Sequence, residues 1–326
     1  MSRILFITSN RLGDAVLSTG VLDHLLHAYP DARTTVVCGP VPAGLFAGMP
    51  GLERVIELPK RKYSLHWWKM WRACFPKCWD MVVDLRNAPL SYALFSRCQI
   101  HLGKANKNHA HRVVAMGSLV DLADTPPAPR LWTLPKDEVE AAKMIPDGAP
   151  VLALGPTANW IGKTWNPERF AELALRLTGE DGILPGGRIA VIAHRTEFEM
   201  AKPVLDGVLE ALPKDRILNL VGEAPLGVVA ACLKRTAFYV GNDSGLMHMA
   251  AAAGVPTLGL FGPSREEHYA PWGAHCAAVR GDKSYDDVFP VDYDYRNTPS
   301  LMGDLSVEQA EQAAKALWSK VSCQVS

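Results

Sequence analysis

Val240-Gly-Asn-Asp-Ser-Gly-Leu-Met-His-Met-Ala-Ala-Ala-Ala-Gly-Val-Pro-Thr-Leu-Gly-Leu-Phe-Gly-Pro263 reads, without a break, as a strand end, a polar turn, a short helix and a second strand. Residues 237–240 are an apolar run that stops at Gly241. Asn242-Asp243-Ser244-Gly245 supplies turn and N-cap residues for a helix over 246–253, whose end is marked by Gly254 and then Pro256. The apolar run 255–261 follows as the next parallel strand. A glycine-bearing polar turn that feeds a helix places free backbone N–H groups and the positive end of a helix dipole at the carboxyl edge of a sheet. That arrangement suits a phosphate or a sugar hydroxyl.

The flanking sequence alternates in the same way. Residues 3–8 form a β-type run, 9–14 a polar turn, and 15–28 a helix whose stripe is Val16, Leu17, Val21, Leu22, Leu25 and Leu26. Strand signals recur at 34–37, 55–58, 81–84 and 99–102. A second series begins with a strand at 151–155 and continues through a helix at 167–178, a strand at 188–193, a helix at 197–211 and a strand at 217–220. Such alternation implies α/β architecture with parallel sheets covered on both faces, here two Rossmann-like doubly wound domains facing a central cleft. Pro146-Asp-Gly-Ala-Pro150 reads as the linker, giving domains over 1–146 and 147–304. Ser306-Val-Glu-Gln309 opens a last helix within 305–326, and Val307, Ala310, Ala314, Leu317 and Val321 form its apolar face.

Bulk composition narrows the function classes. A chain of 326 residues with 48% hydrophobic content can fill two cores of about 150 residues each. Lys and Arg (34) balance Asp and Glu (34), which gives no support to a nucleic-acid partner. The first apolar run is too short for a signal peptide and no stretch reaches the roughly 18 apolar residues of a membrane span, so a cytoplasmic protein is expected. Seven scattered cysteines lack paired C-x-x-C spacing, so neither a zinc site nor a disulfide framework is indicated.

Asp243-Ser244-Gly245-x-x-His248, Gly254-Val-Pro256 and Leu260-Phe-Gly-Pro263 resemble the signature of glycosyltransferase family 9, the lipopolysaccharide heptosyltransferases of the GT-B fold. Arg3-Ile-Leu-Phe-Ile, Gly13-Asp-Ala-Val-Leu17 and Ser306-Val-Glu308 extend the resemblance over nearly the whole chain. It implies an inverting transferase that needs no metal and no cofactor, with a nucleotide-sugar donor such as ADP-heptose and a lipopolysaccharide inner-core acceptor. It also implies a last helix packing back on the first domain, peripheral contact with the inner membrane, and a monomer. A sugar-nucleotide epimerase and a non-catalytic glycan- or nucleotide-binding protein remain alternatives. A dinucleotide oxidoreductase is disfavoured, because the turn at 8–14 has a single glycine where G-x-G-x-x-G would need three.

Several side chains can carry chemistry. Asp14 is either a first-turn carboxylate favoured by the helix dipole or, as the resemblance implies, the base that deprotonates the acceptor. The turn Gly155-Pro-Thr-Ala-Asn-Trp-Ile-Gly-Lys-Thr-Trp165 resembles the family's phosphate-gripping loop, with Thr157 offering a hydroxyl and Lys163 a charge for the leaving diphosphate. Trp165 reads instead as a core plug beneath the helix opened by Pro167. Glu197, with Glu199 as competitor, can accept from ribose hydroxyls. Asp243 can bind the donor sugar, Ser244 and Gly245 can present N–H groups to phosphate, and His248 can orient Asp243. Lys60-Arg-Lys-Tyr-Ser-Leu-His-Trp-Trp-Lys-Met-Trp-Arg72 is either an interfacial segment, with Lys60, Arg61 and Lys62 serving a phosphorylated acceptor, or a solvated loop running into a tryptophan-packed helix. Asp286-Asp287 and Asp292-Tyr-Asp294 read as loop carboxylates.

Overall fold

The structure is a computed structural model that describes residues 2–60, 65–103, 111–289, 294 and 299–325. Two compact units divide the chain, Met1–Leu134 and Pro135–Ser326. The first contains β1 (Arg3–Ile7), α1 (Leu12–Ala28), β2 (Arg33–Cys38), β3 (Leu52–Glu57), α2 (Leu65–Cys74), β4 (Trp79–Asp84), β5 (Ser96–His101) and α3 (Arg112–Gly117). Its sheet runs β3-β2-β1-β4-β5, all parallel. The second contains α4 (Pro135–Met144), β6 (Val151–Gly155), α5 (Pro167–Thr178), β7 (Arg188–His194), α6 (Phe198–Ala211), β8 (Ile217–Gly222), α7 (Leu226–Lys234) and β9 (Phe238–Asn242). It continues with α8 (Gly245–Ala252), β10 (Thr257–Phe261), α9 (Glu266–Tyr269), β11 (Cys276–Arg280), α10 (Tyr285–Val288) and α11 (Val307–Val325). Its sheet runs β11-β10-β9-β6-β7-β8, again parallel.

Both sheets are covered on both faces, which is why their central strands are continuous apolar runs without period-two alternation. Ile4 to Ile7 of β1 and every residue of β6, β9 and β10 are buried. Each order reverses beside its first strand, between β1 and β4 in the first sheet and between β6 and β9 in the second. Those two reversals are the topological switch points, where the turns at the carboxyl ends of the strands part and leave room for a ligand.

Local chemistry sets the elements around the switch points. Asn166 caps α5 by accepting from the Arg169 amide at 2.9 Å, Pro167 takes the first helical position, and Trp165 is buried against Phe170 as a core plug. Gly254 ends α8 at φ +82°, the left-handed conformation that glycine adopts without penalty. Close packing fixes Gly20 on α1, where a Cβ would overlap the Pro127 carbonyl; the extended segment 124–130 is laid along that helix and held by Arg130 N–H donating to Thr19 Oγ1 at 2.8 Å.

Two expectations about organisation change. The face of α11 that sequence analysis sends to the first domain is buried in the second unit, where Leu305, Val307, Ala310, Ala314 and Leu317 join the core formed by Phe170, Leu258 and Leu260. Arg169 holds the start of this segment through the carbonyls of Gly303 and Leu305, and the capping box predicted at Ser306–Gln309 is present in both directions. The division also falls before α4, not at the Pro146–Pro150 segment. This helix packs on α7, and two ion pairs, Lys234–Glu138 and Arg235–Asp147, tie its ends to the second unit.

Candidate functional site

At the switch point of the second sheet, three segments distant in sequence converge. Asn242, fully buried at the end of β9, donates to the Pro156 carbonyl at 2.7 Å and accepts from the Trp165 amide at 3.1 Å. Its side chain therefore staples both ends of the loop that follows β6. The short turn Ile161–Lys163 in that loop is pinned from behind by the Leu301 amide, which donates to the Gly162 carbonyl at 3.0 Å. Lys163 then reaches Asp243, with Nζ 2.5 Å from Oδ2. Asp243 is buried, and its other oxygen lies 4.0 Å from His248 Nε2.

The same turn begins α8. Ser244 is the N-cap residue by backbone conformation, yet its hydroxyl makes no capping bond. The first amides of α8 are thus not covered by a side-chain cap, and they carry the dipole's positive end. Glycine at the ends of β6 and β9 follows from packing: a Cβ on either Gly155 or Gly241 would overlap the Tyr239 hydroxyl.

Beside this cluster Thr157 donates its hydroxyl to Glu197 Oε2 at 2.9 Å, and the His194 amide donates to the same oxygen at 3.3 Å. Glu197 thereby caps the turn between β7 and α6 while joining it to the β6 loop. Glu199 goes elsewhere. With Arg195, Thr196, Phe198, Val221, Gly222 and Glu223 it lines an open hollow of about 580 Å³ at the carboxyl ends of β7 and β8. Phe198 keeps 38% of its surface exposed there, and Arg195 lies 3.5 Å from Glu223. Apart from Glu199, the lining escapes a reading by motif, because no residue in it has a distinctive spacing; an exposed phenylalanine opening a helix is the signal that was available.

In the first unit Asp14 stands in the first turn of α1, partly exposed, and accepts from the Ser9 hydroxyl at 3.3 Å. Arg11 is the N-cap residue and supplies no capping bond. Lys60 is exposed beyond β3, while Arg61 and Lys62 lie outside the described residues. The tryptophans after them do not bury as one face. Trp68 is 53% exposed and stacks on Trp71, which meets Phe75, which meets Phe95, itself 61% exposed. Asp286 and Asp287, expected in a loop, lie in α10, where Asp286 pairs with Arg265 at 2.8 Å and Asp287 accepts from the Ser284 hydroxyl at 2.5 Å; Asp292 lies outside the described residues. No group of three or more His, Cys, Asp or Glu side chains gathers as a cation site among the described residues.

Two doubly wound parallel sheets in one chain, with a lysine and an uncapped helix N-terminus at the switch point of the second, are the arrangement of a GT-B fold. The profile of glycosyltransferase family 9 (heptosyltransferase) matches residues 91–288, and the chain belongs to that family. It is similar to lipooligosaccharide heptosyltransferase 2 of Haemophilus influenzae, 25% identical over 313 residues that cover 85% of this chain and 88% of that protein. It is also similar to lipopolysaccharide heptosyltransferase 1 of Pseudomonas aeruginosa, 27% identical over 308 residues covering 83% and 81%. Among solved structures, the family 9 glycosyl transferase of Veillonella parvula superposes with a TM-score of 0.76 at 20% identity, covering 98% of each chain. The E. coli heptosyltransferase WaaC with ADP gives 0.70 at 17% identity, covering 97% and 99%. At those identities the structural likeness speaks to the fold alone.

Proposed function

We propose that this chain transfers heptose from ADP-heptose to a lipopolysaccharide inner-core acceptor, with inversion at the anomeric carbon and without a metal. The observation that carries the donor side is the Lys163–Asp243 ion pair, held at the β6/β9 switch point next to the first amides of α8. A diphosphate seated there meets a fixed ammonium charge, the N–H groups of Ser244 and Gly245 and the positive end of a dipole. These groups are aimed where negative charge grows as the glycosidic bond breaks. Asp243 keeps Lys163 in place before the donor arrives and accepts from the sugar's hydroxyls once it is bound, with His248 behind it. Glu197 takes the ribose hydroxyls, and Thr157, bonded to Glu197, links ribose and phosphate contacts. The hollow lined by Phe198 and Glu223 takes the base. The relative WaaC, whose structure was solved with ADP, supports an adenine nucleotide as donor.

The first unit holds the acceptor. Asp14, at the carboxyl edge of β1, accepts the proton of the acceptor hydroxyl as that oxygen attacks the anomeric carbon. Lys60, Arg61 and Lys62, with the exposed tryptophan row, face a phosphorylated glycolipid at the cytoplasmic surface of the inner membrane. No helix of the described residues is long and apolar enough to cross a membrane.

The test is a transfer assay with ADP-heptose and heptose-deficient lipopolysaccharide, run with EDTA and without it. ADP release that requires the acceptor, a product whose anomeric configuration is opposite to the donor's, and indifference to EDTA are expected. Turnover of the donor without any acceptor would overturn the reading in favour of an epimerase or hydrolase.

A further inference from the structure

The switch point of the first sheet, between β1 and β4, is furnished by residues that no motif singled out. Asn10 lies just beyond β1 and Arg86 just beyond β4, and the Arg86 guanidinium donates to Asn10 Oδ1 at 2.9 Å. Its guanidinium carbon lies over the Trp67 ring, 4.4 Å from the ring centroid. The turn that presents Arg86 is organised by Asp84, a fully buried carboxylate that accepts from the Arg86 amide at 2.8 Å, the Ala88 amide at 2.6 Å and the Ser91 hydroxyl at 2.7 Å. These bonds, with His101 Nδ1 3.7 Å from its Oδ2, occupy Asp84, whose charge acts on Arg86 through space without a direct ion pair. Among the described residues no carboxylate lies within ion-pair distance of Arg86. Burial draws Arg86 below its ordinary pKa, with Asp84 and Cys38 opposing, and an arginine so placed stays charged.

The result is a half-buried, positioned cation whose side-chain hydrogen bond among the described residues goes to a neutral group, at the place where a doubly wound sheet admits a ligand. A purely structural role would be to clip the β1 turn to α2. That role accounts for the Asn10 bond and the Trp67 contact but gives no use to the rest of the guanidinium fork, which meets no carboxylate within ion-pair distance among the described residues. Planar guanidinium and planar or tetrahedral oxyanion match two bonds at a time.

We propose that Arg86 is a specificity residue for the acceptor, pairing with a carboxylate or phosphate of the acceptor at the β1/β4 switch point, with Asn10 and Trp67 fixing its orientation. This rests on the reading that the first unit holds the acceptor. Arg86 takes no part in proton transfer. It selects acidic acceptors and holds them so that the attacking hydroxyl meets Asp14.

The experiment is steady-state transfer by the full chain with three acceptors: heptose-deficient lipopolysaccharide, the same material with its sugar carboxyls reduced, and the same material dephosphorylated. Arg86→Gln should raise the KM for the native acceptor about 10- to 100-fold, leaving kcat within about threefold and donor KM unchanged. The rise should vanish on whichever modified acceptor lacks the paired anion, which tells carboxylate from phosphate. An equal rise on all three acceptors, or no rise on the native one, would overturn the proposal and leave Arg86 a structural clip. If the Gln variant fails to fold, Arg86→Lys decides in the same way, because it keeps the charge, loses the fork and should still be impaired selectively on the native acceptor. Failure of the wild type to use the native acceptor at all would defeat the proposed function itself, a separate outcome.

Discussion

At the scale of single residues, Asp14 and Lys163 separate the two halves of the proposed chemistry. Asp14→Asn keeps the size of the side chain and can still accept from Ser9, but it has no carboxylate to take a proton. Transfer should fall about 10²- to 10⁴-fold with ADP affinity unchanged, as read by steady-state rates and calorimetric titration. If the carboxylate serves only the dipole of α1, the substitution should cost at most about 1 kcal/mol of stability and leave turnover near normal. Lys163→Ala removes a charge that the diphosphate meets and should lower kcat/KM for the donor by about 10²- to 10³-fold, dividing between KM and kcat because the charge it faces grows in the transition state. It also strands Asp243, which is buried, so the melting temperature should drop in the absence of ADP. A Lys163→Ala enzyme with unaltered ADP affinity would remove the lysine from the donor site.

At the scale of elements, α2 departs from the usual amphipathic helix. Met70 and Cys74 are buried in the first unit's core and Trp71 and Phe75 pack partly against it, but Trp68 and Phe95, at the two ends of the aromatic row, remain open to solvent. Lys69 and Arg72 on the same helix are exposed, as is Arg97 two residues after Phe95, although Arg97 pairs with Asp80. Aromatic rings and positive charge thus lie close in sequence, as at a membrane interface. Replacing Trp68 and Phe95 by Ser should barely change the melting temperature, since both are already more than half exposed. Binding to anionic phospholipid vesicles should weaken roughly tenfold in a flotation assay, with ADP affinity intact. Vesicle binding equal to wild type would leave the row as surface packing alone.

At the scale of the whole molecule, the unit boundaries make a test of autonomy. A fragment of residues 147–304 lacks Leu305, Val307, Ala310, Ala314 and Leu317, all buried in the second unit's core. Burying each larger member is worth about 1.5–3 kcal/mol, and a domain's whole stability is only about 5–15 kcal/mol. That fragment should not fold, whereas residues 135–326, which keep α4 on α7 and α11 on β10 and β11, should melt cooperatively and bind ADP like the full chain. Circular dichroism melts and ADP titration of the two fragments check this. Cooperative folding of 147–304 would show that the last helix is dispensable.

What could be read from the residues alone were local and periodic features. The strand and helix alternation, the Gly254 stop, the Asn166-Pro167 start, the Ser306–Gln309 capping box and the Trp165 plug are all set by chemistry within a few residues. The family follows from short motifs of the same kind. Tertiary structure alone decided which distant groups meet: Thr157 with Glu197, Lys163 with Asp243, and Asn10 with Arg86, partners separated by 40, 80 and 76 positions. It also decided where α11 goes, because an apolar stripe states that a helix must be buried but not against which surface. The switch points themselves belong to this second class. They arise from strand order, and in a parallel sheet that order is set by how crossovers pack over the faces, a property no single stretch of sequence contains.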